Sequence, residues 1–186
     1  MRIISGKLKG KSINFIKNNN TRPLKDKVKE NIFNILSHSN LLLTGIKDSN
    51  VLDLYSGIGS FGLECISRGA NSVRFVEQNK EAFKILKDNI KKLSIDNRAR
   101  VINGNVENFL SNEDDDNYDI FFFDPPFKDK SFIKNLSFIR NKRLFNKKHV
   151  VIIHRERKSN DNFGNFIKVL ISKNYGRSKI IFGIFN

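Results

Sequence analysis

The pattern of apolar and polar positions divides this chain of 186 residues into two parts that meet near residue 50. In the first part, residues 2–15 alternate around Gly6 and Gly10, which predicts a small β-hairpin with basic side chains on one face. A helix is predicted next, with Pro23 in its first turn and apolar positions 28, 32, 35 and 36 on one face. From residue 50 onward, short apolar runs alternate with amphipathic segments, which predicts repeated strand–helix units.

The second part of the chain predicts a sheet of seven strands. Regular alternation of strand and helix indicates parallel pairing with helices on both faces, closed by a pair of strands at the end of the chain. The predicted strands are 51–54, 72–77, 99–105, 119–124, 149–154, 166–172 and 178–185, and the predicted helices between them are 60–70, 79–94, 106–110 and 129–139. We therefore expect an α/β fold with a mostly parallel seven-stranded sheet over residues 50–186, preceded by a hairpin-and-helix extension over residues 1–49.

Charge is distributed unevenly along the chain, whose formal net charge is +15. Residues 1–50 carry 10 basic and 3 acidic side chains, residues 51–127 carry 9 and 13, and residues 128–186 carry 15 and 3. A coding bias toward lysine would spread the basic residues evenly, whereas here two basic flanks enclose a mildly acidic centre. This distribution favours contact of the flanks with a polyanion such as nucleic acid over a merely solvated basic surface.

The composition argues against several other classes of protein. The chain has no apolar run of the length that crosses a bilayer, and its first residues lack the pattern of a secretory signal peptide. The single Cys65 cannot form an intrachain disulfide, and the three histidines are scattered without metal-ligand spacing. We therefore expect a cytoplasmic protein that uses no metal ion and does not contact a membrane.

A glycine-rich loop follows the first strand of the second part. The segment Gly57-x-Gly59-x-x-Gly62 matches a dinucleotide-binding fingerprint, and Glu77 ends the next strand, where a carboxylate can bind both hydroxyls of a ribose. Asp53 lies inside the preceding strand, where it would repel a pyrophosphate but attract an amino group. A nucleoside joined to an amino acid, namely S-adenosyl-L-methionine (SAM), fits this arrangement better than a nicotinamide dinucleotide.

The end of the fourth strand is a second unusual feature. The apolar run 120–123 stops at Asp124-Pro125-Pro126-Phe127, where two prolines fix the backbone beside a carboxylate and an aromatic ring. A simple strand-terminating turn would account for the two prolines but not for the carboxylate and the aromatic ring beside them. The carboxyl ends of parallel strands meet at one edge of a sheet, where ligands bind in open α/β folds. Three other polar residues are expected at that edge: Asp53, Glu77 and Asn105.

These segments together resemble the class I SAM-dependent methyltransferases. The resemblance rests on VLDLYSGIGSFGLECISRGA (51–70), the VE pair that ends the second strand, NGN (103–105) and DIFFFDPPF (119–127). With RIISGKLKGK (2–11) and TRPLKDKVKENIFNIL (21–36) in front, the whole chain resembles the RsmD-type family, which methylates the exocyclic N2 amine of a guanine in 16S ribosomal RNA. The resemblance implies a Rossmann-like fold, SAM as cofactor, S-adenosyl-L-homocysteine as product, and no metal.

The resemblance also assigns residues to the cofactor. It implies contacts to the methionine part from Asp53, Gly57 and Gly59, to the ribose from Glu77, and to the adenine from Gln78, Asn105 and Val106, with Tyr55 and Ser56 as further cofactor contacts. Asn105 departs from the family pattern, because an acid is usual at this position. An amide carbonyl can still accept a hydrogen bond from the adenine amino group, but the negative charge is lost, so we expect weaker cofactor binding.

The Asp124-Pro125-Pro126-Phe127 turn is expected to hold the target amine. An exocyclic guanine amine is a weak nucleophile, because its lone pair is delocalised into the ring, and it needs two fixed acceptors for its N–H groups. Asp124 and the carbonyl of Pro125 supply these acceptors, Pro126 stiffens the turn, and Phe127 stacks on the base. His154 ends the fifth strand, where relatives tend to have an acid, and we interpret it as a hydrogen-bonded strand-end histidine.

The basic flanks supply the expected contacts to RNA. The candidate residues for phosphates near the target base are Arg2, Lys7, Lys9, Lys11 and Arg22. The resemblance implies ribosomal RNA as the partner, within the small ribosomal subunit or its assembly intermediate, and a monomer suffices. Three alternatives stay open: a methyltransferase for another amine (adenine N6 or a protein glutamine), a nicotinamide oxidoreductase, and a non-catalytic RNA-binding protein.

Overall fold

The computed structural model describes residues 1–15, 24–113 and 117–186. Its strands are β1 (Asn50–Leu54), β2 (Ser72–Glu77), β3 (Ala99–Asn103), β4 (Tyr118–Phe123), β5 (Phe145–Glu156), β6 (Ile167–Tyr175) and β7 (Ser178–Phe185). They form one sheet in the order β3-β2-β1-β4-β5-β7-β6. Strands β1 to β5 pair in parallel, and β7 pairs antiparallel with both β5 and β6, so the predicted mostly parallel seven-stranded sheet is confirmed.

Five helices cover the two faces of this sheet: α1 (Asp26–His38), α2 (Ser60–Ser67), α3 (Lys80–Leu93), α4 (Val106–Ser111) and α5 (Phe132–Lys142). Residues from α1, α2 and α3 pack on one face, and residues from α4 and α5 pack on the other. Alternate residues of β4 belong to these two cores, Ile120 and Phe122 to the first and Phe121 and Phe123 to the second. A strand that is buried on both faces explains the continuous apolar run before Asp124.

The N-terminal segment forms the predicted small hairpin. Arg2 and Ser12 form an antiparallel bridge, two backbone hydrogen bonds of 2.9 Å flank it, and residues 7–10 form the turn. The backbone N–H groups of Ile4 and Ser5 donate to the buried carboxylate of Glu64 in α2, at 2.8 and 2.9 Å. These N–H groups are therefore satisfied by a helix side chain instead of by a partner strand. The division of the chain near residue 50 stays a prediction.

Two further predictions concern where the elements begin and end. Strand β5 extends over Phe145–Glu156, beyond the predicted 149–154 at both ends. Pro23, expected in the first turn of α1, lies outside the described residues, and α1 begins at Asp26. Within the described ranges, no helix combines the length and the apolar character needed to cross a bilayer.

Candidate active site

A cleft of about 650 Å³ opens at the carboxyl ends of the parallel strands. The loops after β1, β2, β3 and β4 form most of its walls, as expected for an open α/β sheet. With the exception of Gly59, the cleft brings together every residue predicted for the cofactor or the target amine. These residues are Asp53, Tyr55, Ser56, Gly57, Glu77, Gln78, Asn105, Val106, Asp124, Pro125, Pro126 and Phe127.

Two glycines shape the loop between β1 and α2 in different ways. Gly57 has φ +54, and a Cβ at this position would meet no atom within 4 Å, so the loop leaves room there for a ligand. Gly59 has φ +82 and precedes the first residue of α2, where a Cβ would lie 2.4 Å from Leu86 Cδ1. Gly59 therefore fixes the turn and the packing of α2 and does not line the cleft.

Asp53 is the most deeply buried acid of the cleft, with 1% of its surface exposed. Its Oδ2 accepts a hydrogen bond from the Gly62 N–H at 2.9 Å, while its buried Oδ1 has no partner among the described residues. Burial raises the pKa of Asp53 well above its usual range, and the nearby charges of Asp124 and Glu77 raise it further. An unsatisfied buried carboxylate oxygen is costly, and a cationic amino group is the partner that would satisfy it. The residues present therefore fit the amino acid part of SAM.

Glu77 connects the two loops that flank the expected ribose site. Its Oε2 accepts from the Gly57 N–H at 2.7 Å, and its Oε1 accepts from the Asn79 N–H at 2.6 Å. A carboxylate offers about four lone-pair positions, so two remain for the hydroxyls of a ribose. The hydroxyl of Ser56 donates to the Val76 carbonyl at 3.1 Å and so anchors the glycine loop to β2.

At the expected adenine site, the Asn105 side chain has a local role. Its Oδ1 accepts from the Asn108 N–H at 2.7 Å and so caps the N-terminus of α4. Gln78 and Asn105 are exposed at the rim of the cleft, and Val106 is buried beneath them. The Asn105 carbonyl therefore already accepts one hydrogen bond. The expected loss of cofactor affinity at this position stays a prediction.

Tyr55 links the cofactor loop to the opposite face of the sheet. It has φ 61, a strained conformation for a residue with a side chain, and its hydroxyl accepts a hydrogen bond from Asn135 Nδ2 at 2.8 Å. Burial, the largest influence, raises the pKa of Tyr55 to about 12. The phenol therefore stays protonated at neutral pH and keeps its own proton to donate.

The Asp124–Phe127 turn is held from behind by an arginine that sequence patterns do not single out. Arg155, at the end of β5, is 1% exposed and donates to the carbonyls of Pro126 at 3.1 Å and Phe127 at 3.0 Å. Its charge is balanced by the buried carboxylate of Asp161. By contrast, the Pro125 carbonyl accepts no hydrogen bond within residues 1–15, 24–113 and 117–186. One carbonyl of the turn is thus left available beside Asp124.

Asp124 is held in a similar manner by His154. Its Oδ1 lies 2.8 Å from His154 Nδ1, and His154 Nε2 lies 2.8 Å from the Ser178 hydroxyl of β7. Because a carboxylate only accepts, Nδ1 carries the proton that is donated to Asp124, and Ser178 donates to Nε2 in the neutral imidazole. His154 is a hydrogen-bonded strand-end histidine, as interpreted from the sequence, but its partner is Asp124 itself. Within the part of the chain that is described, Asp124 Oδ2 accepts no hydrogen bond.

The candidate RNA contacts of the extension lie beside α2, and Lys29 Nζ links the Arg2 carbonyl to the Ser60 hydroxyl at 3.4 and 3.3 Å. Arg2, Lys7, Lys9 and Lys11 are exposed, and the Lys7 N–H donates to the carbonyl of Ser67 at the end of α2. Ser60, the first residue of α2, lines the cleft, and Ser67, which binds Lys7, lies roughly 10 Å from Ser60 along the helix. Arg22 lies outside the described residues. The described residues contain no group of three or more His, Cys, Asp or Glu side chains arranged to hold a metal ion.

Sequence comparisons identify one family. A family model described as Conserved hypothetical protein 95 matches residues 1–184. The chain is 36% identical over 156 residues to Ribosomal RNA small subunit methyltransferase D of Buchnera aphidicola subsp. Acyrthosiphon pisum, which covers 84% of this chain and 78% of that protein.

Solved structures show the same fold. The Escherichia coli protein yhhF superposes with a TM-score of 0.83 at 24% identity and covers 98% of this chain and 96% of its own. Precorrin-6y C5,15-methyltransferase from Geobacter metallireducens has a TM-score of 0.69 at 14% identity and covers 97% and 98%. The chain therefore belongs to the Conserved hypothetical protein 95 family, the RsmD-type group of SAM-dependent methyltransferases with a class I fold.

Proposed function

We propose that this protein transfers the methyl group of SAM to the exocyclic N2 amine of one guanine in 16S ribosomal RNA, within the small ribosomal subunit or its assembly intermediate. The name of the Buchnera relative, Ribosomal RNA small subunit methyltransferase D, supports the class of substrate. One observation carries the proposal. Asp124 Oδ2 and the Pro125 carbonyl are two acceptors without a protein donor among the described residues, at the end of a strand beside Asp53.

The cleft has a group suited to each part of the cofactor. Asp53 would hold the amino group, Glu77 the ribose hydroxyls, and the rim residues Gln78, Asn105 and Val106 the adenine. When bound, SAM supplies an electrophilic methyl group on a sulfonium sulfur. The chemical task left to the chain is therefore to orient the amine and to remove a proton from it.

The two free acceptors of the turn are matched to that task. A planar exocyclic amine has two N–H groups, and the Asp124 carboxylate and the Pro125 carbonyl can accept one each. These hydrogen bonds draw the nitrogen away from conjugation with the ring and aim its lone pair at the methyl carbon. Asp124 is also the group that can accept the proton released after attack. His154 and Arg155 hold this geometry before the base arrives, so little reorganisation is needed.

The carboxylate at position 124 favours guanine over adenine as the target. The Watson–Crick edge of guanine places the N1–H donor next to the N2 amine, whereas adenine places the N1 acceptor next to its N6 amine. A carboxylate only accepts, so it can bind two neighbouring donors of guanine but is repelled by the acceptor of adenine. The flipped base would stack on Phe127, whose ring meets His154 edge to face at 5.5 Å.

Product identification tests the proposal directly. Small ribosomal subunits from a strain that lacks this gene are incubated with the protein and SAM that carries a labelled methyl group. The RNA is then digested, and the nucleosides are separated by mass spectrometry. We expect label in N2-methylguanosine at a stoichiometry near one per subunit. Label in N6-methyladenosine, label only in ribosomal protein, or no label in any fraction would overturn the proposal.

A further inference from the structure

Beyond the cleft, the structure brings together an exposed basic surface beside the Asp124–Phe127 turn. Six exposed basic side chains form this surface, which we call the basic rim: Lys128, Lys130, Arg157, Lys158, Lys173 and Arg177. They come from three segments, namely the loop after the turn, the end of β5, and the hairpin between β6 and β7. None of them is among the N-terminal basic residues that the sequence indicates as RNA contacts.

Hydrogen bonds between these three segments fix the rim in position. Arg155 donates to the carbonyls of Phe127 and Asp129, which ties the loop after the turn to the end of β5. Directly after β5, the Arg157 N–H donates to the Arg177 carbonyl at 2.8 Å, which ties β5 to the β6–β7 hairpin. The rim is therefore built on the same supports that hold the catalytic turn.

Few acidic groups neutralise the rim. Asp161 is paired with the buried Arg155, and Glu156 approaches Arg177 at 3.8 Å, where both side chains are well exposed. Asp129, between Lys128 and Lys130, accepts a hydrogen bond from the Ser131 N–H. Lys128, Arg157 and Lys158 have no ion-pair partner among the residues that the structure describes. Exposed cations of this kind are available for phosphate groups.

The strand order explains why this side of the cleft suits the nucleic acid. Cofactor residues lie after β1, β2 and β3, where the carboxylates of Asp53 and Glu77 line the cleft. The target turn follows β4, and β5 and β7 continue the sheet on the other side. A phosphate backbone would be repelled by the acidic cofactor side and attracted to the basic rim next to Asp124.

We infer that the basic rim binds the backbone phosphates of RNA nucleotides that flank the target base, an inference that rests on the proposed function. It deepens that function by adding a second contact surface, adjacent to the chemistry, to the N-terminal extension. Phosphate contacts fix the register of the RNA without reading its sequence. The rim would therefore determine how well the target is held, and the remaining contacts would determine which guanine is chosen.

The test uses two triple variants that remove equal charge. The rim variant is Lys128→Gln, Arg157→Gln and Lys158→Gln. The matched control is Lys147→Gln, Lys148→Gln and Lys168→Gln, which removes three exposed lysines from the opposite ends of β5 and β6. Methylation of small ribosomal subunits and binding of deproteinised 16S RNA are measured between 0.1 and 1 M salt, together with SAM affinity.

Counterion release sets the size of the expected effect. Each phosphate contact contributes about 0.7 to the slope of log affinity against log salt for single strands, so three contacts contribute about 2. Between 1 M and 0.1 M salt a slope of about 2 corresponds to a factor of about 100, which is the ceiling, so we expect KM to rise by about 10- to 100-fold at 0.1 M. The rim variant should show this rise and a shallower salt slope, with unchanged kcat and SAM affinity. The control variant should resemble the wild type.

The outcomes separate this inference from the proposed function. If the wild type fails to methylate RNA, the proposed function falls. If the wild type methylates RNA and the rim variant matches the control in KM and salt slope, the inference falls and the proposed function stands. A loss of affinity for assembled subunits without any loss for deproteinised 16S RNA would mean that the rim contacts a ribosomal protein, and this result also overturns the inference.

Discussion

Replacing Asp53 by Asn should stabilise the protein and at the same time weaken SAM binding. The amide can still accept the Gly62 hydrogen bond, but it removes a buried negative charge whose Oδ1 has no partner. Because the folded-state pKa of Asp53 is raised, its contribution to the free energy of unfolding is present at low pH and is lost as pH rises through that pKa. The gain from the substitution should therefore grow with pH.

The magnitude follows from the cost of unsatisfied buried groups. Removing the charge should recover about 1–2 kcal/mol of the free energy of unfolding where Asp53 is ionised. For a domain of this size, each kcal/mol shifts Tm by about 2–4 °C, so a rise of about 2–8 °C is expected. Losing the ionic partner of the SAM amino group should cost about 2 kcal/mol or more of binding free energy, roughly a 30-fold loss of affinity.

Thermal unfolding with and without SAM, at pH 6 and pH 9, measures both effects. Without SAM the variant should melt higher than the wild type, whereas at a SAM concentration 100 times the wild-type Kd the wild type gains about 2.7 kcal/mol and the variant gains far less. Asp119→Asn is the matched control, because both Asp119 oxygens accept hydrogen bonds, from Asn50 and Asn146. This control should melt lower and keep the full SAM shift. A lower Tm for Asp53→Asn without SAM, or an unchanged SAM shift, would refute the reasoning.

Three further predictions concern the supports of the site. His154→Ala should lower the single-turnover methylation rate roughly 10- to 100-fold, because Asp124 loses its fixed orientation, and SAM affinity should not change. His154→Asn, whose amide can still donate a hydrogen bond to Asp124, should recover part of the rate. Equal rates for the two variants would contradict this role of His154. Arg155→Met should lower the free energy of unfolding, measured in urea, by about 3–5 kcal/mol, because Asp161 stays buried without its partner. Adding Asp161→Leu should restore part of this free energy. No recovery in the double variant would count against the contribution of the ion pair. SAM affinity should rise with pH up to the raised pKa of Asp53, with proton release detected by calorimetry in two buffers of different ionisation enthalpy, and a pH-independent affinity would be inconsistent with it.

Much of the fold and of the cleft could be predicted from the sequence, because both depend on local patterns. The run 120–123 is apolar at every position since β4 is buried on both faces, and strand ends bring Asp53, Glu77 and Asp124 to one edge whatever the exact register. The positive φ of Gly59 serves the turn into α2, and its contact with the cofactor stays a prediction.

The supports of the Asp124–Phe127 turn could not be predicted in this way. The contacts of His154 and Arg155 depend on the register between β4, β5 and β7, which no short segment encodes. The small N-terminal hairpin is confirmed, but its attachment to Glu64 through the Ile4 and Ser5 N–H groups could not be predicted, because alternation does not show which side chain binds those groups. The basic rim combines charges from positions 128 to 177, and only the β6–β7 hairpin brings them together.

The central claim is that Asp124 and the Pro125 carbonyl orient one amine for methyl transfer. Its most direct test is the single-turnover rate of Asp124→Ala on small ribosomal subunits that lack the modification, measured beside SAM affinity for the same protein. The account predicts that the rate falls by about 100-fold or more while SAM affinity changes little, because the carboxylate acts on the amine and not on the cofactor. A variant that methylates its guanine at the wild-type rate, or that loses activity only because SAM no longer binds, would contradict it.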